Sequence, residues 1–128
     1  MNYSQVIKAY PVISEIKRLR LPYDKARAVY EVAKSLESDY AFFAEEERKC
    51  IEKYAERDKS GKIKTTADGR IVFENIHAQT AYTSEISKLL GTNAETAENQ
   101  ITLRSADISE PISAETIAAL DSIISFKD

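Results

Sequence analysis

Apolar side chains recur at alternating steps of three and four residues between Ala26 and Tyr54. No glycine or proline lies between Tyr23 and Lys59, so nothing in this stretch interrupts a helix. The spacing predicts one long amphipathic helix, from about Tyr23 to about Arg57, whose apolar stripe needs a partner surface along its whole length. The stripe consists of Ala26, Val29, Ala33, Leu36, Tyr40, Phe43, Glu47, Cys50 and Tyr54.

The length of this helix constrains the architecture. At about 1.5 Å per residue it is on the order of 50 Å long. A compact domain of this size has a radius of gyration of about 14 Å and a diameter of about 36 Å. We therefore expect either an elongated molecule or a second subunit that covers part of the stripe.

Composition places the chain among ordinary globular proteins. Hydrophobic residues make up 43% and charged residues 30% of 128 residues, which suits one domain. A net charge of −3 selects no partner by sign, and the single cysteine excludes an intramolecular disulfide. The chain contains no long apolar run and does not open with a secretory signal, so we expect a cytoplasmic protein without membrane contact.

The segments on either side of the long helix are predicted to be short. Ser4 to Arg20 reads as a first helix, capped by Ser4 and bent or shortened at Pro11. Lys62–Thr66 and Arg70–Phe73 alternate as the strands of a β-hairpin turning at Asp68-Gly69. Asn99–Arg104 is a candidate third strand.

Two further helices are predicted. One runs from Asn75 to Leu90 and ends at Gly91. The other runs from Ala114 to about Ser122, with Ser113 as its cap, and is anchored by Ile117, Leu120, Ile123, Ile124 and Phe126. The predicted fold is α+β and mainly helical: a single domain in which residues 1–58 form an antiparallel helical hairpin and residues 59–128 a small α+β part.

Four residues on the second half of the stripe are candidates for contact with a protein partner: Tyr40, Phe43, Glu47 and Tyr54. Aromatic residues anchor interfaces, although core packing is the default explanation of such a stripe. Glu47 interrupts the stripe, and a polar residue there can fix register or face a basic partner.

A basic segment lies at the predicted corner between the first two helices, with Asp24 as its one acidic residue. Its cations could hold nucleic-acid phosphates, or they could simply complement the dipole of the first helix. They are Lys17, Arg18, Arg20, Lys25 and Arg27.

No constellation in the sequence predicts catalysis, a metal or a cofactor. His77 is the one histidine and Cys50 the one cysteine, so neither has the partners of a zinc site or a nucleophilic triad. Cys50 is expected to be buried, although nearby lysines could activate it. Glu45, Glu46 and Glu47 point about 100° apart on a helix and cannot readily converge on one ion.

The stretch from Phe42 to Ile63 resembles a family of small, functionally unassigned proteins encoded by phages and prophages of Gram-positive bacteria. The resemblance includes the break at Leu21-Pro22 and an EKY-x-E-x-D-x-x-G pattern, which begins at Glu52 and ends at Gly61. It continues with the Leu89-Leu90 pair, the alternation of Ile101 and Leu103, and the Ser-initiated last helix. Ala55 stands where the pattern has glycine, which implies that the long helix runs on.

The resemblance implies a phage or prophage accessory protein but supplies no functional residues. We expect a non-enzymatic protein acting by protein–protein contact or self-association, as an assembly factor or a modulator of a host protein in the host cytoplasm. A nucleic-acid-binding regulator that uses the basic segment is the less favoured alternative. A small-molecule binder with a tyrosine-lined cavity is a third.

Overall fold

The computed structural model describes residues 1–128, and the N-terminal segment forms two short helices. Helix α1 spans Tyr3–Ala9 and helix α2 spans Ile13–Lys17. Pro11 lies in the turn between them, because it lacks the amide hydrogen that would continue α1. The predicted break is therefore present, but the antiparallel helical hairpin is not confirmed.

The cap of α1 differs from the prediction. The Asn2 side chain accepts a hydrogen bond from the Gln5 amide at 2.9 Å, and the Gln5 side chain accepts one from the Asn2 amide at 3.0 Å. This reciprocal pair is a capping box. Asn2 therefore caps the helix, and the prediction of Ser4 was wrong.

Helix α3 spans Tyr23–Tyr54 and confirms the long helix predicted from the apolar stripe. It ends before Arg57, because Ala55 forms an antiparallel bridge with Phe73 and the Glu56 amide donates to the Val72 carbonyl at 2.8 Å. The implied continuation of the helix past Ala55 was therefore wrong. The stripe residues buried in the structure are Val29, Ala33, Leu36, Phe43 and Cys50.

The chain divides into two compact units. Unit one comprises residues 1–41 and 92–128, and unit two comprises residues 42–91, so α3 contributes to both. From the sequence we expected one domain whose two parts meet at residue 58. That single-domain interpretation stays a prediction.

The largest cluster of buried apolar side chains lies within unit one. It combines α1, α2 and the first half of α3 with the C-terminal segment. Its largest fully buried side chains include Val6, Ile16, Leu36, Leu103, Leu120 and Ile123.

Two parallel strands form the one sheet. Strand β1 spans Ile101–Arg104, and strand β2 spans Ile124–Lys127. The strands are paired in the register Ile101 to Ile124 and Leu103 to Phe126. Helix α5, which spans Ala114–Leu120, lies in the crossover that a parallel pair requires.

The C-terminal strand corrects two predictions. The last helix was expected to reach Ser122, but it ends at Leu120, and Ile124 and Phe126 belong to β2. Asn99–Arg104 was expected to join a β-hairpin, whereas β1 pairs with β2. The expected inward orientation of Ile101 and Leu103 is confirmed, since both are buried.

In unit two, the segment after α3 makes isolated bridges rather than strands. Arg57 bridges Ile63, and Thr65 bridges Ile71, both antiparallel. Short extended pieces share the backbone hydrogen bonds. For example, the Lys64 amide donates to the Glu56 carbonyl. The predicted two-stranded hairpin is therefore not confirmed.

Helix α4 spans Ile76–Leu90, close to the predicted bounds. Asn75 caps it by accepting from the Ala78 amide at 2.9 Å, and Gly91 is its C-cap as expected. The chain is 54% helical with one small sheet, so the α+β, mainly helical class is confirmed. None of its helices combines the length and apolar character that crossing a membrane requires.

Candidate functional site

Three side chains of α3 converge on one carboxylate of α4, within unit two. The Tyr54 hydroxyl donates to Glu85 Oε1 at 2.7 Å, and the Cys50 thiol donates to Glu85 Oε2 at 3.1 Å. The Lys53 ammonium donates to Glu85 Oε1 at 3.1 Å. Cys50 and Tyr54 are four residues apart and thus share a helix face. These four residues are the Glu85 cluster.

The cluster separates the pKa values of its acid and its thiol. Hydrogen bonds from Tyr54, Cys50 and Lys53 lower the pKa of Glu85 to about 2. Burial first, and then the hydrogen bond to the Glu85 carboxylate, raise the pKa of Cys50 to about 11. The expected burial of Cys50 is observed, and the opposing effect of Lys53 does not activate it.

These pKa values leave the cluster poorly suited to catalysis near neutral pH. A nucleophilic cysteine must be a thiolate, and a general base works best with a pKa near the ambient pH. Cys50 stays protonated, whereas Glu85 holds a proton too weakly to exchange it at neutral pH. The arrangement instead joins α3 to α4 through hydrogen bonds.

The predicted partner-binding residues all lie on α3, but they do not form one exposed surface. Tyr40 stacks on Tyr10, with ring centroids 4.5 Å apart, and Phe43 is buried. Tyr54 is half-buried within the Glu85 cluster, and Glu47 is half-buried. Their contact with a partner stays a prediction.

Two exposed apolar residues of unit two were not among the predicted site residues. Ile76, the first residue of α4, is 67% exposed, and Phe42 is 51% exposed. Ile76 lies off the face of α4 that carries Ala78 and Tyr82, so a helical projection of the sequence could have found it. No residue of α4 is buried.

An open groove of about 630 Å³ lies on the same unit and is lined in part by Asn75, the residue before Ile76. We call it the α4 groove. Phe73 and Tyr82 are in contact in its wall, with ring centroids 5.0 Å apart. The residues that line it include Arg70, Ile71, Phe73, Asn75, Gln79 and Tyr82.

The basic residues predicted to hold phosphates lie in unit one, and two of them are paired with carboxylates. Arg18 contacts Glu15 at 2.9 Å, and Arg27 contacts Glu31 at 2.9 Å. The others, Lys17, Arg20 and Lys25, form no ion pair within 4.0 Å, and Lys25 is half-buried.

The acidic run on α3 forms surface ion pairs rather than a metal site. Glu45 pairs with Arg48 at 2.6 Å, and Glu46 pairs with Lys49 at 3.3 Å. No group of three histidine, cysteine or acidic side chains in the chain is placed to hold a metal ion. His77 is exposed.

A buried polar cluster in unit one joins α3 to the segment before β1. Asp39 is buried and accepts from the Thr96 amide at 2.9 Å, from the Thr96 hydroxyl, and from the Glu95 amide at 3.2 Å. Since the Thr96 hydroxyl donates to Asp39, it accepts from the Ser35 hydroxyl, 2.7 Å away. Every group in this cluster has a partner, so its role is to hold the backbone at residues 95–96.

Comparison with protein-family models, with curated proteins and with solved structures finds no match for this chain.

Proposed function

We propose that this protein is non-enzymatic and acts by binding another protein through unit two. The observation that carries the proposal is the exposure of Ile76, an apolar side chain that is 67% exposed and directly follows Asn75, a residue of the α4 groove wall. An exposed apolar residue close to a groove with aromatic residues in its wall can mark an interaction surface, whereas a single exposed apolar residue elsewhere needs no explanation.

The chemistry of the Glu85 cluster supports a non-enzymatic role. Its thiol has a pKa of about 11 while its carboxyl has a pKa of about 2. The thiol is therefore held in its unreactive protonated form, and the carboxylate is a weak general base. Their contribution is to the position of α4, which carries the proposed contact surface.

The biological setting follows from the sequence resemblance alone. We infer a phage or prophage of a Gram-positive bacterium, in which the protein is an assembly factor or a modulator of a host protein in the host cytoplasm. The EKY-x-E-x-D-x-x-G pattern between Glu52 and Gly61 is the residue pattern on which this inference rests.

Affinity capture from a lysate of a Gram-positive host, with and without nuclease, tests the proposal. Two matched variants replace an exposed apolar residue at the first position of a helix: Ile76→Asp in unit two and Tyr23→Asp in unit one. We expect a stoichiometric protein partner that survives nuclease, binds the Tyr23→Asp protein and is lost with Ile76→Asp.

A different result would contradict the proposal. If the captured proteins disappear with nuclease, or if nucleic acid alone is recovered, the contact surface is the basic segment in unit one. In that case Lys17, Arg20 and Lys25 become the residues to replace, because they carry no carboxylate partner within 4.0 Å.

A further inference from the structure

We propose that two turns of unit two bind the phosphate backbone of a nucleic acid. Turn one comprises residues 58–62, and turn two comprises residues 66–70. The inference goes beyond the proposed function, which concerns the surface at α4. It rests on three observations: the turns are two copies of one structural unit, they carry cations at equivalent positions, and their surface has no large exposed apolar side chain.

The two turns have the same backbone structure. In each, the amide of the first residue donates to the carbonyl of the fifth at 2.8 Å, and the amide of the fourth donates to the carbonyl of the first at 3.0 Å. The first residues are Asp58 and Thr66, and the fourth are Gly61 and Gly69. Both glycines have positive φ angles, 85° and 86°, which side chains other than glycine rarely adopt.

A ring of three backbone hydrogen bonds relates the turns to each other. The Lys64 amide donates to the Glu56 carbonyl, the Val72 amide to the Lys64 carbonyl, and the Glu56 amide to the Val72 carbonyl. These residues are spaced eight apart, so the ring has approximate three-fold symmetry, and the turns form two of its three sides. Equivalent side chains of the two turns therefore project from the same end of the ring.

Each turn ends in an exposed cation directly after its glycine, Lys62 in turn one and Arg70 in turn two. Lys62 forms no ion pair within 4.0 Å. Arg70 pairs with Asp68, but the two side chains are 80% and 61% exposed, so solvent weakens this pair. Residues 57–72 contain two acidic and five basic side chains, the basic ones being Arg57, Lys59, Lys62, Lys64 and Arg70. Cations at equivalent positions of a repeated unit match a ligand whose anions also repeat.

The kind of polyanion follows from the apolar side chains of the segment. Ile63, Ile71 and Val72 are half-buried, and none of the large exposed apolar residues of the chain lies in residues 57–72. Protein interfaces have an apolar and aromatic centre in which lysine is depleted, so an acidic protein would find no anchor here. Phosphate contacts need only cations, hydroxyls and backbone amides. The surface therefore favours a nucleic-acid backbone, bound without sequence preference.

Fluorescence anisotropy with a labelled DNA duplex of arbitrary sequence, over a salt series, tests the inference. Three double variants each remove two positive charges: Lys62→Gln with Arg70→Gln in the turns, Lys17→Gln with Arg20→Gln in the basic segment, and Lys34→Gln with Lys127→Gln at exposed positions elsewhere.

The turn variant should lose two phosphate contacts, each of which contributes about −0.9 to the slope of log affinity against log salt concentration. Its slope should therefore be shallower by about 1.8. With equal affinity at about 1 M salt, it should bind about 60-fold less tightly than the natural chain at about 0.1 M. The dissociation constants of the other two variants should stay within about twofold of that of the natural chain.

Ala67→Lys provides a test by gain of affinity, which misfolding cannot imitate. Ala67 is exposed in turn two at the position that Lys59 occupies in turn one. The added cation should steepen the slope by about 0.9 and tighten binding about eightfold at about 0.1 M salt. Ala118→Lys adds the same charge at an exposed position of α5 and should leave the slope unchanged.

Three results would overturn the inference: no binding of the duplex at about 50 mM salt, an equal loss of affinity in all three double variants, or binding of polyglutamate as tight as that of DNA. The last result would show that an acidic protein surface serves equally well.

The inference and the proposed function can fail separately. Nucleic acid recovered in the capture experiment is held by the turns if the variant of Lys62 and Arg70 loses it, and by the basic segment if the variant of Lys17 and Arg20 loses it. A protein partner that is lost only with Ile76→Asp supports the proposed function, whatever the turns bind.

Discussion

Tyr54 and Glu85 join the end of α3 to α4 through a hydrogen bond of 2.7 Å from the tyrosine hydroxyl to Glu85 Oε1. The same carboxylate accepts from Cys50 and Lys53, so one side chain of α4 holds three positions of α3. Because α4 has no buried residue, these hydrogen bonds are important among the interactions that hold it against α3. Substitutions in the cluster should therefore show how much these hydrogen bonds stabilise the position of α4 and of the groove beside it.

Replacing Glu85 with glutamine should reduce stability at neutral pH and have little effect in strong acid. A carboxyl whose pKa is lowered by folding stabilises the fold above its unfolded pKa and loses that contribution as the pH falls through the folded value. For Glu85 the pKa falls from 4.5 to about 2, so the contribution is complete above about pH 4.5 and lost by about pH 2.

Urea unfolding of the natural chain and of Glu85→Gln across this pH range measures the effect. The difference should be small, because the Glu85 side chain is 43% exposed and solvent screens its charge. Glu74→Gln is a suitable control, since Glu74 is exposed and makes no ion pair within 4.0 Å. A midpoint difference that does not change with pH would show that Glu85 acts through packing instead.

Cys50 should react slowly with thiol reagents in the native protein. Burial and the Glu85 carboxylate both raise its pKa, which reaches about 11, so very little thiolate is present at pH 8. Glu85→Gln removes the charged acceptor while burial remains, so the pKa of Cys50 should fall and its labelling rate should rise. Labelling of the natural chain as fast as of the unfolded chain would contradict the observed packing.

Local sequence signals predicted much of the helical structure. The apolar stripe of α3 repeats within one turn, and the predicted cap Ser113 accepts from the Thr116 amide three residues away. Such interactions depend on neighbouring residues, so they can be read from spacing alone. The capping role of Gly91 was found in the same way.

The parallel sheet could not be predicted on the same basis. Leu120, Ile123 and Ile124 fit the spacing of a continuing helix, and four C-terminal residues are too few to establish an alternating pattern. Strand β2 forms because Ile124 pairs with Ile101, which lies far away in the sequence.

The candidate site could not be predicted from the sequence for the same reason. Cys50 and Tyr54 were placed on one face of α3, but nothing in their neighbourhood indicates that Glu85 is their shared acceptor. The groove walls likewise come from both α4 and the segment before it, with Phe73 and Tyr82 meeting only in the folded chain. Spacing along one element cannot reveal a partner on another.

Any binding of duplex DNA by the basic segment should depend only moderately on salt. Each phosphate contact contributes about −0.9 to the slope of log affinity against log salt concentration. With Arg18 and Arg27 paired to glutamates, three predicted cations remain, and the slope should be no steeper than about −2.7. Fluorescence anisotropy over a salt series measures it, and a slope near −4.5 would show that the glutamates are displaced.

Replacing Asp39 with alanine should destabilise the fold by about 3 kcal/mol, because it leaves the amides of Glu95 and Thr96 without their acceptor in a buried setting. Ser35→Ala should cost about 1 kcal/mol, since the Thr96 hydroxyl still donates to Asp39 after the serine is removed.

Asp24→Ala provides the control for this last prediction, because Asp24 is an exposed aspartate in the first turn of α3, where its loss should cost about 0.5 kcal/mol. Chemical unfolding of the three variants gives the ranking. If Asp39→Ala costs no more than Asp24→Ala, water replaces the lost acceptor, and the segment from residue 92 to β1 is held by its apolar contacts rather than by Asp39. If the ranking holds, a double variant of Ser35 and Asp39 should cost less than the two single changes together, because the serine contributes through the hydroxyl that Asp39 orients.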